Sequence, residues 1–237
     1  DLHVTNSASG TSDYVYINNT SASTLDVTGS VTIINDGTAS NNSVYFPYQG
    51  AITMGGDLSL TNSATGTNGY IYLASNSNSS LVMTTGNTIV TNSGAGGTYK
   101  RIYLGVSGDV TFDGTLDVVN SASATNSQIY MADASSSTIS VNGNATFSNS
   151  ATGTSTQMYI GDDGDVTFEG TLDLTNNSGA TNSEIRLNRA STSANVYNGD
   201  ITVQSTSTTC DGIYFGRDGG SGILAVAATI SIPSGGA

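Results

Sequence analysis

The 237-residue chain has no tryptophan, one cysteine, one histidine, two prolines and only five lysines and arginines. The lone Cys210 excludes a disulfide within the chain and leaves either a bystander thiol or an interchain link. Five cations against eighteen acids give a formal net charge of −13. That balance argues against nucleic acid, whose binding rests on neutralising phosphates. It argues equally against anionic membrane surfaces and favours solubility and mutual repulsion at low salt. No apolar run of about 18 residues is present, so no helix is expected to cross a membrane. No signal peptide is present either, as in a secreted protein after processing. The only histidine, His3, lies at the amino terminus and offers catalysis little to work with. No apolar 3.6-residue period survives the glycines and β-branched residues, which excludes helices. Charged residues make up 10% and hydrophobic residues 36% of the chain, a balance unlike that of disordered segments.

What the chain does have is a repeat. An apolar anchor recurs at Leu2, Val31, Leu58, Thr88, Leu116, Ala145, Leu172, Ile201 and Ile230, with spacings of 27–30 residues. Two residues later stands another apolar residue, ending with Ile232. Four residues after the anchor stands Asn6, Asn35, Asn62, Asn92, Asn120, Asn149 or Asn176, with Ser205 ending the run. A second alternation follows in every unit, as in Val15-Tyr16-Ile17 or Ile129-Tyr130-Met131. A third, looser one (Val110/Phe112, Val166/Phe168, Tyr197) commonly ends at a glycine such as Gly29, Gly114, Gly143, Gly170 or Gly199. Apolar–polar–apolar triplets are the signature of strands with one buried face. Three strands per unit, joined by turns too short for a helix, make one coil of a solenoid.

The expected fold is therefore all-β: a parallel β-helix or β-solenoid of about eight coils of 27–30 residues, three short strands each. Coils stacked about 4.8 Å apart give a rod roughly 38 Å long. The repeat runs end to end, so residues 1–237 are read as one elongated domain. One coil cannot offset its own ordering entropy, about 1–2 kcal/mol per residue, and needs neighbours to close its core. Pro47 and Pro233 both fall outside the strand triplets, as a hydrogen-bonded ladder requires.

Stacking turns sequence positions into columns. The asparagines (Asn6, Asn35, Asn62, Asn92, Asn120, Asn149, Asn176) are expected to form a structural ladder at a corner, passing amide hydrogen bonds between coils and satisfying turn backbone. Tyr16, Tyr45, Tyr72, Tyr103, Tyr130, Tyr159 and Tyr214, with Arg186 on the remaining rung, form an outward stripe. Two readings stay open for it: rings stacked on one another for stability, or an exposed contact surface for another rod or for sugar. Arg186 is placed to stack between Tyr159 and Tyr214. Outward positions of the first strand are interrupted by Asp, Ile, Val and Gln, which speaks against a flat ice-binding array.

Chemistry has few candidates. Asp162, Asp163 and Asp165 cluster in GDDGD and Asp218 lies in GRDGG, yet no calcium-binding repeat recurs, so turn and solubility duty is expected rather than a metal site. Lys100 and Arg101 share no column with a carboxylate pair. Asp113 and Glu169 share a column two coils apart, roughly 10 Å by strand spacing. No enzyme and no cofactor are expected.

The NSA(S/T)GT loops (62–67 and 149–154), the GDVTF(D/E)GTLD segments (108–117 and 164–173) and the asparagine column resemble the repetitive β-solenoid stalks of bacterial surface adhesins and autotransporter passengers, including the filamentous-haemagglutinin-like group. The resemblance spans the whole chain and is one of style rather than of a single family. It implies an exported, right-handed solenoid at the cell surface or outside the cell, with an adhesive or scaffolding role. With edge strands open at both ends of the repeat, the expected partner is a second copy, added head to tail into a fibre. A stalk within a longer protein, or a module binding surface or matrix glycans through the tyrosine stripe, are the other expectations. No direct membrane insertion is expected.

Overall fold

A computed structural model describes residues 1–177, 180–189, 193–205, 210–216, 223–226 and 229–231. All regular structure among them is β-strand. Each coil lays down three strands in turn, for example Leu116–Asn120, Asn126–Met131 and Thr138–Val141. Equivalent strands pair in parallel, giving a first sheet of nine strands and a second and third of eight each. Register is kept residue for residue: Leu116 pairs with Ala145, Val118 with Phe147 and Asn120 with Asn149. The chain is a β-solenoid repeat protein.

Alternation fixes which residues turn inward. In Asp165–Phe168, Val166 and Phe168 are buried while Asp165 and Thr167 face outward. Inward residues of all three sheets merge into one apolar core along the rod, including Ile33, Val44, Ile52, Ile71, Leu81 and Val90. Full burial of one such side chain stabilises by about 1.5–3 kcal/mol. Phe168 stacks on Tyr197 inside the core at 5.5 Å, and the Tyr197 hydroxyl has no hydrogen-bond partner there.

The corners explain the small and polar residues. Before each first-sheet strand from Val31–Asn35 to Ile201–Ser205 stands a glycine, and these glycines stack from coil to coil. A Cβ on Gly114 would lie 1.8 Å from the Gly86 carbonyl oxygen, and one on Gly143 would lie 2.3 Å from that of Gly114. No side chain fits that stack. The next residue is always Asp, Ser, Asn or Thr, and where it is Asp, Ser or Asn its side chain accepts the backbone N–H of its counterpart one coil on. Asp1 accepts from Ser30 at 2.9 Å, Asp57 from Asn87 at 2.7 Å, Asn144 from Thr171 at 3.0 Å and Asp200 from Thr229 at 3.0 Å. A second corner, after the second-sheet strand, uses left-handed backbone at Asn18, Ala74, Gly105, Ala132, Gly161, Asn188 and Gly216, whereas the Phe46–Pro47 peptide in the same column is cis.

At the asparagine corner, Asn6 Nδ2 donates to Asn35 Oδ1 at 3.2 Å. From Asn62 onward the amides donate to main-chain carbonyls of the second sheet, because the corner sets each amide against that strand. Asn92 reaches Gly69 at 3.0 Å and Arg101 at 3.3 Å, and Asn120 reaches Lys100 at 3.2 Å. Asn149 and Asn176 do the same with Ser127 and Thr156. Ser205 keeps only a 3.4 Å bond to Asn176 O. Cys210 opens the strand Cys210–Phe215, next to a register shift opposite Ser183 and Glu184. Its side chain, like Ile232, Pro233, Arg217 and Asp218, lies outside the described residues.

Candidate functional surface

The second sheet carries the stripe. Because Ile102 and Leu104 turn inward, Tyr103 between them turns outward. In-register pairing then sets each tyrosine directly over the next. Ring centroids are 4.7 Å apart from Tyr16 to Tyr45 and from Tyr45 to Tyr72. They are 4.9 Å apart from Tyr72 through Tyr103 and Tyr130 to Tyr159. Interplanar angles stay at or below 10° until the last step, which opens to 26°. The Arg186 guanidinium then lies 5.3 Å from the Tyr159 ring and 5.8 Å from that of Tyr214. Ring faces along the column are therefore spent on one another. Only edges and hydroxyls look outward, except at Tyr16, which is 41% exposed.

Burial within the stack disfavours ionisation. It pushes Tyr45 up to about 12, with the neighbouring Tyr16 adding to the effect. Tyr72, Tyr130 and Tyr159 are raised further by the same cause. For Tyr159 the Glu184 carboxylate contributes as well, since the phenol donates to Glu184 Oε1 at 2.8 Å.

Two residues before the stripe runs a flanking column that sequence reasoning did not single out: Tyr14, Ser43, Tyr70, Arg101, Gln128, Gln157 and Glu184. Its outward parity is the signal that would have found it. Gln128 Nε2 donates to Gln157 Oε1 at 2.5 Å, and Gln157 Nε2 donates to Glu184 Oε1 at 2.7 Å. Arg186 donates twice to Glu184 Oε2, at 2.9 and 2.8 Å. Arg101 donates to the Tyr103 hydroxyl at 3.1 Å and lies 4.4 Å over the Tyr99 ring. Tyr48 packs edge-on against both Tyr16 and Tyr45.

At the adjoining corner Arg189 Nη1 is 2.9 Å from Asp162 Oδ1. Asp162 is pushed up to about 7, mainly by burial, with Arg189 opposing the shift and Asp133 adding to it. Asp165 Oδ1 accepts the Ala194 N–H at 2.6 Å. Among the described residues no group of three or more His, Cys, Asp or Glu is arranged to hold a metal.

Asp113 and Glu169 are rungs of one column. Between them stands Asn142, which donates to Asp113 at 2.5 Å, and Asn198 donates to Glu169 at 2.8 Å. Lys100 is not a surface residue. It shares parity with Ile102, points inward and is fully buried. Its Nζ donates to the Ala64 carbonyl one coil back at 2.6 Å. Gly69 and Gly94 make the room, since a Cβ on either would come within about 3 Å of Nζ, at 2.9 and 3.0 Å. Burial pulls Lys100 down to about 8.

Comparison of the chain with protein-family models, curated proteins and solved structures finds no match.

Proposed function

We propose that the chain is a rigid structural segment of an extracellular protein, either the stalk of a bacterial surface adhesin or a subunit stacked head to tail in a fibre. The observation that supports this reading is the in-register stacking of coil on coil among the described residues. Among the described residues, the asparagine corner, most rungs of the glycine corner and the outer face of the second sheet are joined from coil to coil by side chains as well as by backbone. Such a rod resists bending and stretching along its axis, because deforming it breaks several ladders at once. The reading includes no catalytic role and no cofactor. The two carboxylates that share a column, Asp113 and Glu169, each accept from an asparagine one coil on, Asn142 and Asn198.

Negative-stain electron microscopy of the protein across a concentration series tests it. Straight rods of constant width are expected. Rods that lengthen with concentration identify a fibre subunit, and rods of one short length identify a stalk segment. Globular or irregular particles at every concentration would refute the structural reading.

A further inference from the structure

The flanking column holds two polar atoms the rod leaves unused. Arg101 Nε and Gln128 Oε1 have no hydrogen-bond partner. They belong to paired positions on neighbouring strands. Gln128 is 7% exposed, so its oxygen is an acceptor withheld from water. Leaving such an atom unpaired costs about 1–3 kcal/mol, which a ligand that supplies the partner recovers. A donor and an acceptor side by side match a hydroxyl group, which accepts from one and donates to the other.

The surroundings narrow the ligand. Tyr70 occupies the rung before Arg101, and Tyr99 lies beneath the guanidinium. Tyr14, two rungs before Tyr70 on the same column, is 44% exposed. Unlike the stripe, these rings are not stacked along the column: Tyr14 and Tyr70 are tilted by 46° and 42° from the stripe tyrosines beside them. Two rings spaced along the column, followed by Arg101 and Gln128 on the next rungs, suit a ligand that has both apolar ring faces and hydroxyl edges. The charges on this face are spent locally, Arg186 on Glu184 and Arg189 on Asp162. Arg101 directs its charge to the Tyr103 hydroxyl and the Tyr99 ring, and this single cation stands on a chain of net charge −13, which repels a polyanion. A protein partner would need a contiguous apolar centre, whereas here polar atoms recur on every rung, about 4.8 Å apart along one direction.

We infer that the column Tyr14–Tyr70–Arg101–Gln128, with Tyr99, binds a neutral polysaccharide chain laid along the rod axis. One sugar hydroxyl bridges Arg101 Nε and Gln128 Oε1, and pyranose faces rest on Tyr70 and Tyr14. Both polar atoms are screened in the free rod, so binding turns the part-exposed Arg101 side chain. The inference goes beyond the structural reading and holds for a stalk or a fibre alike.

The test is native affinity electrophoresis of the whole protein in gels containing a mixed-linkage β-glucan, a galactomannan or the acidic polysaccharide alginate. Retardation is expected in at least one neutral gel. Gln128→Ala and Tyr70→Ala should each weaken it by about ten-fold, the effect of one lost buried hydrogen bond or stacking contact. Val82→Ala, on the third sheet, should leave it unchanged. Circular dichroism of each variant checks that the solenoid is intact. No retardation in either neutral gel, retardation only by alginate, or retardation that survives both Gln128→Ala and Tyr70→Ala overturns the inference. Electron microscopy of the same samples reads the rod independently, so failure here is distinguishable from failure of the structural proposal.

Discussion

Replacing Lys100 by methionine should make the stability difference between the two proteins depend on pH. Lys100 is fully buried, has one carbonyl partner and is drawn from 10.5 to about 8 by burial alone. A shift of that size corresponds to about 3 kcal/mol between the charged and neutral forms. Its sign follows from proton counting. Between pH 8 and 10.5 the unfolded chain binds more protons at this position than the folded one, so folding strengthens as pH rises. Below pH 8 both states are protonated and the full penalty of burying the ammonium applies. Wild type should therefore gain about 3 kcal/mol on Lys100→Met from pH 7 to above 10.5, most of it by pH 10. Loss of the bond to Ala64 adds an offset that does not change with pH. Tyrosine ionisation in the unfolded state is common to both proteins and cancels. Urea unfolding followed by circular dichroism at pH 7, 8, 9 and 10 measures the difference, provided both proteins keep the same m value. Parallel stability curves would refute the buried, unpaired ammonium.

The remaining predictions concern the columns. Gly114→Ala places a Cβ 1.8 Å from the Gly86 carbonyl and should cost more than about 3 kcal/mol or abolish folding. Gly96→Ala, with open space but φ of 73°, should cost only about 1 kcal/mol. Equal urea midpoints for the two would contradict the stacked glycines. Tyr103→Ala removes two stacked ring pairs and should destabilise by about 1–3 kcal/mol beyond the lost area, at about 0.5–1.5 kcal/mol per pair. A loss no larger than that of a lone surface tyrosine would mean that the stack contributes nothing. Alkaline difference spectroscopy should show Tyr45 ionising near pH 12. With the folded value raised, stability is complete below pH 10 and lost as pH climbs through the folded value. Ionisation of every tyrosine in one step near pH 10, with the fold intact, would refute the burial of the stack.

Much of this fold can be read from the sequence because period-2 alternation and register share one cause. When Leu116, Ala145 and Leu172 must all face the core, their strands have a single in-register pairing. The asparagine and tyrosine columns then follow from counting. Other features were visible but obscured by residue type. Lys100 has the parity of Ile102 and Leu104, yet a lysine reads as a surface residue until the glycines that accommodate it are seen beside it. The caps one residue before the anchors use Asp, Ser and Asn interchangeably for one job, accepting a single N–H, so no one letter marks the column. The left-handed corner accepts Asn, Ala and Gly alike, and composition gives no signal there. The link from Gln128 through Gln157 to Glu184 depends on side-chain reach, which spacing alone does not supply.

Departures from the repeat come in compensating sets, and that pattern argues for a rod maintained as a whole rather than a row of independent coils. Gly69 carries no side-chain donor for the Ala64 carbonyl, whereas Ser127 at the same column position donates to Ala122, the counterpart of Ala64. Lys100, on the next rung, reaches back to supply the missing donor. Arg186 interrupts the tyrosine column on the strand where Glu184 replaces the glutamine of the two preceding rungs, and the two form an ion pair through two N–H bonds to Glu184 Oε2. Restoring the pattern at one member alone would leave Glu184, 3% exposed, without its guanidinium. Breaking such a buried pair costs about 3–5 kcal/mol, more than the one or two ring contacts that Arg186→Tyr would add. Arg186→Tyr should thus destabilise on its own, and Arg186→Tyr with Glu184→Gln should recover or exceed wild-type stability. A double-mutant cycle reads the coupling directly, and additive single effects would show that the two departures are unrelated.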